Sequence, residues 1–304
     1  MLNFVVYKKS STFINEKKMI MKTNYIKHLS STIIILSFSW LYISCNNTAT
    51  KGYTSTDTVT TSATQKVDST SYIKSNGEKC NIFAEATIAV PTNCGNGNIT
   101  ELRKQFAKYA LDAPDSLSVD EALNQYMVNY LKQYEISYNE DTAEGLGDEM
   151  DSDTIKTYNN SINISIIYNS KDIVTYRKTI VTRKNNFVSS VIHRYYSFDI
   201  KTGNYITLSN LFRNDAIQYL CQDFKTILMN ENNVTSVDQL NDVGYYNIDN
   251  LVVNLNFYFD ENGITWVYLP NELAIQTLGE PKIKITYSNL EPYLSENSLV
   301  KRFN

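Results

Sequence analysis

The thiol of Cys45 is the side chain whose surroundings most clearly indicate a chemistry. Basic residues such as Lys27 come first, an apolar run over residues 33–43 follows, and the small residue Ser44 stands immediately before the cysteine. This order is that of a secretory signal, and a cysteine in place of a plain cleavage residue is typical of lipid attachment. We therefore predict that Cys45 is lipidated and becomes the mature N-terminus.

A membrane-spanning helix is the alternative for this segment. Crossing a bilayer takes about 20 apolar residues, and the Ser-Ser-Thr sequence at residues 30–32 ends the run too early. We therefore predict an over-long start at 1–20 and a lipoprotein signal peptide at 21–44.

We expect the membrane to be a partner through the lipid anchor. The expected location is the cell envelope, at the outer rather than the inner membrane, on its periplasmic or surface-facing side.

Catalytic groups are scarce after Cys45. One histidine remains there, His193, whereas zinc sites built on histidine need two or three, or a cluster of cysteines. The Gly-X-Ser-X-Gly elbow and the phosphate-binding loop are absent from the sequence. We therefore expect no catalytic residue, no metal ion, no cofactor and no enzymatic activity. A pair of carboxylates could still hydrolyse a glycan, so a carbohydrate-active enzyme stays an alternative.

Charged residues indicate few other sites. The net charge is −4 and no cluster of Lys and Arg suggests nucleic acid as a partner. The run at 140–153 has seven carboxylates and no cation, which predicts a solvated loop. Calcium binding is the alternative, but the run lacks the ligand spacing of a calcium loop. The His-Arg-Tyr-Tyr sequence at 193–196 is expected to be a solvent-exposed ladder, with a binding spot as the alternative.

Tyrosine is the one residue type in excess, with 23 copies in the chain. Tyrosine offers a large contact area with a polar tip, which suits recognition of proteins or sugars. Strands also favour tyrosine for packing reasons alone, so both explanations stay open.

A polar segment follows the proposed anchor. Between Asn46 and Glu78, 14 of 33 residues are Ser or Thr. Such a composition buries too little apolar surface to offset its ordering entropy. We therefore predict a flexible tether over 45–78, followed by an N-terminal α+β half at 79–185 and a C-terminal half at 186–304.

Periodicity predicts the elements of the folded part. Apolar residues alternate from Cys80 to Val90, which indicates a half-buried strand. Capping boxes at 98–101 and 118–121 precede two helices. The further expected strands and helices lie at 157–168, 172–182, 186–200, 214–230 (helix), 251–260, 264–269, 282–287 and 288–294 (helix). Short polar turns join the first three strands into an antiparallel meander, and 260–263 is a hairpin signal. The fold class is therefore α+β, with a mostly antiparallel sheet and helices packed on it.

Several segments of the C-terminal half resemble one known family. They are the runs at 196–203 (Tyr-Ser-Phe-Asp-Ile-Lys-Thr-Gly), 205–212, 257–272 and 285–294. Together they are similar to the RsiV-like domain-of-unknown-function family over about 186–295, and 79–185 resembles more weakly the domain that usually precedes it. That family forms the lysozyme-sensing ectodomain of an anti-sigma factor and also precedes the catalytic domain of a peptidoglycan deacetylase. The resemblance implies a lysozyme-like protein or peptidoglycan as the ligand.

The expected ligand surface lies where a strand ends at a proline. Pro270 stops the hydrogen-bond ladder and points side chains outward, so we predict contacts from Tyr268, Pro270, Asn271 and Glu272. The expected function is a non-catalytic cell-envelope lipoprotein that binds a protein or a glycan. The alternatives are a carbohydrate-active enzyme and a structural accessory subunit of an envelope complex.

Export permits disulfides, and Cys80 with Cys94 is the tempting pair. A continuous strand from Cys80 to Val90 covers roughly 33 Å at about 3.3 Å per residue. The four residues from Val90 to Cys94 can return only about 14 Å of that distance, while bridged Cα atoms lie within about 7 Å. The strand and the disulfide are incompatible, and the alternation favours the strand. Cys221 is expected to be a small core residue of its helix.

The anchoring prediction is testable by substitution. Cys45→Ser removes the only cysteine that follows an apolar signal, so the protein should leave the membrane fraction. The measurement is sedimentation of membranes followed by immunoblotting, with Cys221→Ser as the matched control. A Cys45→Ser variant that still sediments and is released only by detergent would contradict lipid attachment.

Overall fold

The structure is a computed structural model, and it describes residues 58–73, 79–140, 156–185 and 187–302. Cys45, the signal peptide and nearly all of the acidic run at 140–153 lie outside these residues. Lipidation and the calcium alternative therefore stay predictions.

Five strands form the first sheet in the order β1-β2-β3-β4-β5. They are β1 (Thr60–Ile73), β2 (Lys79–Asn93), β3 (Lys156–Asn169), β4 (Ile173–Lys184) and β5 (Phe187–Asp199). Neighbours are antiparallel except β2 and β3, which run parallel. A parallel pair needs a long connection, and α1 (Ile99–Ala110) and α2 (Val119–Glu140) provide it. The predicted antiparallel meander of β3, β4 and β5 is confirmed.

The first core lies between this sheet and its two helices. The predicted alternation in β2 is confirmed, because Ile82, Ala84, Ala86 and Ile88 are all buried. Phe106 of α1 packs edge-on against a tyrosine of β4, with ring centroids 4.9 Å apart. The burial of alternate residues therefore fixes which face of the sheet receives the helices.

Both predicted capping sequences start a helix. The Asn98 side chain accepts a hydrogen bond from the Glu101 N–H at 3.1 Å. In the second box, the Ser118 N–H donates to the Glu121 carboxylate at 2.9 Å and the Ser118 hydroxyl accepts from the Glu121 N–H at 3.3 Å. These bonds satisfy N–H groups that have no partner inside the helix.

The predicted strand of β2 is also continuous. It runs without interruption from Lys79 to Asn93, so Cys80 and Cys94 stand at its two ends. Fourteen residues of strand span roughly 46 Å at about 3.3 Å each. A disulfide between these two cysteines is therefore excluded in this fold, as predicted.

The predicted tether at 45–78 is wrong for its described part. Residues 60–73 form β1, which pairs antiparallel with β2 along its whole length. Main-chain hydrogen bonds hold this strand, and its alternate residues are only half-buried. Ser and Thr fit such a strand because hydroxyls tolerate a wet surface and Thr is β-branched. Composition therefore predicted low burial correctly, but its prediction of an unstructured segment was wrong for these residues.

Three short strands form the second sheet: β6 (Phe257–Phe259), β7 (Gly263–Val267) and β8 (Lys282–Thr286), all antiparallel. The helices α3 (Ala216–Glu231), α4 (Val237–Asp242) and α5 (Tyr287–Leu290) accompany it. Trp266 lies at the centre of this second core, 4.9 Å from the ring of Phe224. The predicted boundary at 186 falls inside the first sheet, because β5 pairs with β4. Among the described residues, no helix combines the length and apolarity needed to cross a membrane.

The hairpin between β6 and β7 follows the prediction at 260–263. The Asp260 carboxylate accepts N–H groups of Asn262 and Gly263 at 2.8 and 3.1 Å. Gly263 is needed for space, because a Cβ there would lie 2.2 Å from the carbonyl oxygen of Ile285. The predicted strand at 251–260 is shorter than expected, since only 257–259 are in β6.

The side chain of Asn256 replaces the missing part of that strand. Its Oδ1 accepts the Tyr195 N–H at 2.9 Å, and its Nδ2 donates to the carbonyl groups of His193 at 3.2 Å and Val267 at 3.1 Å. One buried amide thus joins β5 of the first sheet to β7 of the second. Glu280 reinforces the join, because its carboxylate accepts the N–H and the Nδ1 of His193 at 2.9 and 2.8 Å.

Asn256→Ala should destabilise the protein by about 2 kcal/mol or more, because buried groups of Tyr195, His193 and Val267 lose their partner. Denaturant unfolding monitored by circular dichroism measures this loss. The matched control is Asn241→Ala, an exposed position, where a change within about 0.5 kcal/mol is expected. Equal stability of the two variants would show that the amide does not hold the sheets together.

Candidate functional site

The structure divides the four residues of the predicted ligand surface. Tyr268 is 2% exposed and its hydroxyl donates to the Val252 carbonyl at 2.7 Å. Its placement on an exposed surface is therefore wrong: the ring belongs to the second core, and the strand turns outward only after it. Pro270 is half-buried, whereas Asn271 and Glu272 are exposed.

A cleft lies beside β5, where the first sheet meets the loop before β6. Its volume is about 480 Å³. It is lined by Tyr109, Asp112, Tyr126, Lys178, Ile180, Arg194, Tyr195, Tyr196, Tyr205, Asn254, Leu255, Asn256 and Glu272. Five of these residues are tyrosines. Glu272 is the one residue of the predicted surface that the structure places here.

Aromatic contacts hold the tyrosines in place. Tyr109 at the end of α1 stacks on Tyr205, with ring centroids 4.1 Å apart and planes 21° apart. Tyr205 also meets Phe198 of β5 edge-on at 5.8 Å. Tyr195 packs on Tyr258 at 4.8 Å. The rings are therefore fixed by packing before any ligand arrives.

Lys178 is buried on the floor of the cleft, with an exposed fraction of 2%. Its Nζ donates to the Ala110 carbonyl at 2.9 Å and to the Asp112 carboxylate at 3.2 Å. The same atom lies 4.3 Å from the centre of the Tyr126 ring, a cation–π distance. Burial lowers the pKa of Lys178, and the Asp112 carboxylate opposes that shift.

The end of α1 explains this arrangement. Asp112 has a positive φ of 54°, and the Ala113 N–H bonds back to the Ala107 carbonyl at 3.2 Å. A left-handed residue at this point ends a helix and turns the chain away. The Ala110 carbonyl is then open to a cation, which the negative end of a helix favours. Asp112 reaches Lys178 from the same turn.

Arg194 is the second cation of the cleft, and its situation differs. It stands directly opposite Lys178 in the pairing of β4 with β5. Within the described part of the chain, the guanidinium of Arg194 has no hydrogen bond or ion pair. The charge of Lys178 is compensated by Asp112, whereas that of Arg194 is open to the cleft. Such a guanidinium offers paired donors to a carboxylate or phosphate.

The predicted exposed ladder at 193–196 is wrong for three of its four residues. Tyr195 and Tyr196 are buried, His193 is half-buried against Glu280, and only Arg194 is exposed. The second sheet covers one side of β5 and the helices cover the other. The alternative, a binding spot, is consistent with the position of this segment in the cleft wall.

Most residues of the cleft were not predicted from the sequence. Tyr109, Tyr126 and Lys178 belong to no predicted binding motif, Tyr205 begins the run at 205–212 that carries the family resemblance, and the excess of tyrosine was the further signal. A smaller pocket of about 260 Å³ contains Asp199, but that carboxylate already accepts the Lys201 N–H and an Arg302 nitrogen. No group of three or more His, Cys, Asp or Glu within the described ranges could hold a metal ion.

Comparisons with known proteins find one family model that matches part of the chain. Residues 209–288 match the family described as "Protein of unknown function (DUF3298)". This match confirms a domain of unknown function in the C-terminal half; the finer resemblance to the RsiV-like family stays a prediction. No curated protein matches the chain.

Two solved structures are similar. One is a crystal structure of a DUF3298 family member from Bacteroides fragilis, with 18% identity and a TM-score of 0.57, covering 81% of this chain and 99% of that chain. The other is a DUF3298 family protein from Pseudomonas aeruginosa, with 7% identity and a TM-score of 0.46, covering 78% of this chain and 95% of that chain. The first shows that the fold is shared.

The cleft tyrosines give a prediction about alkaline pH. Burial raises the pKa of Tyr126 to about 12, with Asp112 adding to it, and burial raises the pKa of Tyr205 to about 12, with Tyr109 adding to it. A raised pKa in the folded state contributes stability that is complete below the unfolded value of about 10 and is lost as the pH rises toward about 12. The free energy of unfolding should therefore fall above about pH 10.

Tyr205→Phe keeps the stacked ring and removes one of these hydroxyls. Its free energy of unfolding should fall less steeply with pH, by at most about 1.4 kcal/mol per pH unit. Denaturant midpoints between about pH 9 and about pH 11 measure the slope. Tyr219→Phe, at a position 52% exposed, is the control and should keep the wild-type slope. Identical slopes for all three proteins would contradict the assignment.

Proposed function

We propose that this chain is a non-catalytic, lipid-anchored binding protein of the cell envelope, and that its tyrosine cleft binds a glycan carrying a carboxylate. The observation that carries the proposal is the combination of five tyrosines with one uncompensated arginine in a single cleft. Peptidoglycan is the expected source of the glycan, because its strands carry free carboxylates on their peptide stems and on muramic acid residues that lack a peptide, and the RsiV-like resemblance points to the same material.

The tyrosines support a sugar ligand. Sugar rings present apolar faces with hydroxyls around their edges, and tyrosine matches both with its ring and its hydroxyl. Ligand sites usually combine aromatic walls with a few placed polar groups. Here Asn254 lines the cleft, and the Leu255 carbonyl accepts the Tyr205 hydroxyl at 3.5 Å.

Arg194 supports an acidic ligand. Two cations opposite each other on neighbouring strands repel, and Asp112 relieves that repulsion only at Lys178. A carboxylate placed on Arg194 would compensate the second charge and gain paired, charge-assisted hydrogen bonds. A neutral glycan would leave Arg194 unpaired.

The arrangement of the acids supports binding rather than catalysis. Glycoside hydrolysis needs one carboxyl group that keeps its proton, usually in an apolar pocket, and a second one across the bond. Asp112 is exposed and tied to Lys178, and Glu272 is exposed and accepts the Leu269 N–H at 2.8 Å. Neither carboxylate lies in an apolar pocket.

A lysozyme-like protein is the second candidate, and one observation favours it. Asn271 and Glu272 form an exposed tight turn at the rim of the cleft, and Asn271 has a positive φ of 63°. A protruding rigid turn suits insertion into a concave protein surface. The same experiment separates the two candidates.

Arg194→Gln should weaken binding of soluble peptidoglycan fragments at least tenfold, because a hydrogen-bonded charge pair is lost. Tyr109→Ala should also weaken it by removing a stacking ring, whereas Tyr219→Ala is the matched control on α3. Isothermal titration calorimetry on the full chain in detergent measures the affinities. The same fragments with their carboxylates converted to amides should bind the wild type and Arg194→Gln equally.

Equal affinity of wild type and Arg194→Gln for the untreated fragments would overturn the acidic-glycan assignment. Tight binding of lysozyme that is lost in Glu272→Ala would favour the protein ligand instead. Release of shorter glycans by the purified wild type would overturn the non-catalytic proposal.

A further inference from the structure

The outer edge of β1 is a long open edge of the first sheet. β1 is fourteen residues long and is the terminal strand in the sheet order. Its outward N–H and C=O groups have no strand partner within the described ranges. Long open edges are templates for pairing with another chain, and natural proteins usually shorten, bend or cover them.

The sequence of β1 is complementary to itself in one antiparallel register. Lys66, Val67 and Asp68 stand at the middle of the strand. A two-fold axis through Val67 places Lys66 of one copy opposite Asp68 of the other, twice. It also pairs Gln65 with Ser69 and leaves thirteen of the fourteen residues opposed, with no like charges facing each other. Opposite charges directly across two strands stabilise the pair.

The burial of the same residues agrees with this register. Val67 is 72% exposed and lies on the face away from the helices, while Lys66 and Asp68 lie half-buried on the helix face. In the two-fold pair the two Val67 side chains meet on one face, and both ion pairs form on the other. An isolated exposed valine therefore gains an apolar partner.

Helix α2 extends the same surface. Asn124 of α2 contacts Lys66 of β1, so this side of the helix faces the sheet edge. Val128 lies one turn further along and is an exposed apolar residue. When the two β1 strands pair, the two copies of α2 lie next to each other above the seam, which is the line where the two strands meet. Packed helices have axes about 8–10 Å apart. We propose that two copies of this chain pair through β1 into one ten-stranded sheet.

Val67→Cys tests the register directly. Directly opposed residues of antiparallel strands have Cα atoms about 4.5–5.5 Å apart, which a disulfide can bridge. Mild oxidation of the full chain in membranes should therefore give a disulfide-linked dimer on non-reducing gels. The matched control is Gln65→Cys on the same exposed face. Its two copies lie about 13 Å apart in this register, so it should remain monomeric, as should the wild type with its own cysteines.

Charge reversal tests the ion pairs independently. Lys66→Asp and Asp68→Lys each place like charges opposite each other, so both should lower the dimer fraction measured by light scattering in detergent. The double variant restores both pairs in reversed order and should recover the wild-type fraction. Circular dichroism checks that each variant is folded. A monomeric wild type, or cross-linking of Gln65→Cys as efficient as that of Val67→Cys, would overturn the proposal.

Discussion

The position of the second sheet depends on one amide. Asn256 precedes β6, yet its side chain accepts one hydrogen bond from the backbone of β5 and donates another to it, as the backbone of a neighbouring strand residue would. Its own carbonyl accepts the Val267 N–H at 2.8 Å. The two cores are separate clusters of apolar residues, so burial alone sets no precise distance between them. Directional hydrogen bonds from Asn256 supply that precision, and the loop they hold, 254–256, is one wall of the cleft.

The charges of the cleft follow from the way α1 ends. A left-handed residue is needed to stop the helix, and Asp tolerates that conformation better than most side chains. Asp112 therefore serves two purposes, since it turns the chain and compensates the buried Lys178. Arg194 receives no comparable compensation. The difference between two cations on neighbouring strands is a consequence of local backbone geometry on a distant helix.

Sequence reasoning succeeded where a few neighbouring residues decide the structure. The caps at Asn98 and Ser118 and the hairpin at 260–263 depend on contacts within about four positions along the chain, and the alternation of β2 follows from the two-residue side-chain period of a single strand. It failed where the partner is distant. The polar composition of β1 gave no sign of β2 as its partner, and the proline that ends the strand after Tyr268 could not tell an outer face from a second core. The cleft combines residues from 109 to 272, so no window of sequence contains it.

The strands of the two proposed surfaces lie at opposite edges of the first sheet, and α2 contributes to both, with Asn124 toward the β1 edge and Tyr126 in the cleft wall. The strand order separates β1 from β5 by four strand spacings, roughly 19 Å at about 4.8 Å each. Pairing through β1 would therefore leave both copies of the cleft open and turned away from the seam. A glycan polymer repeats its units, so two rigidly linked clefts could engage one strand or neighbouring strands of it. The second contact would then form at a high effective concentration, and a weak single site could hold a polymer firmly. The cleft has few strong contacts, and β1 is an edge strand with a self-complementary centre. The two features are physically consistent in one binding protein, because pairing through β1 would join two weak clefts.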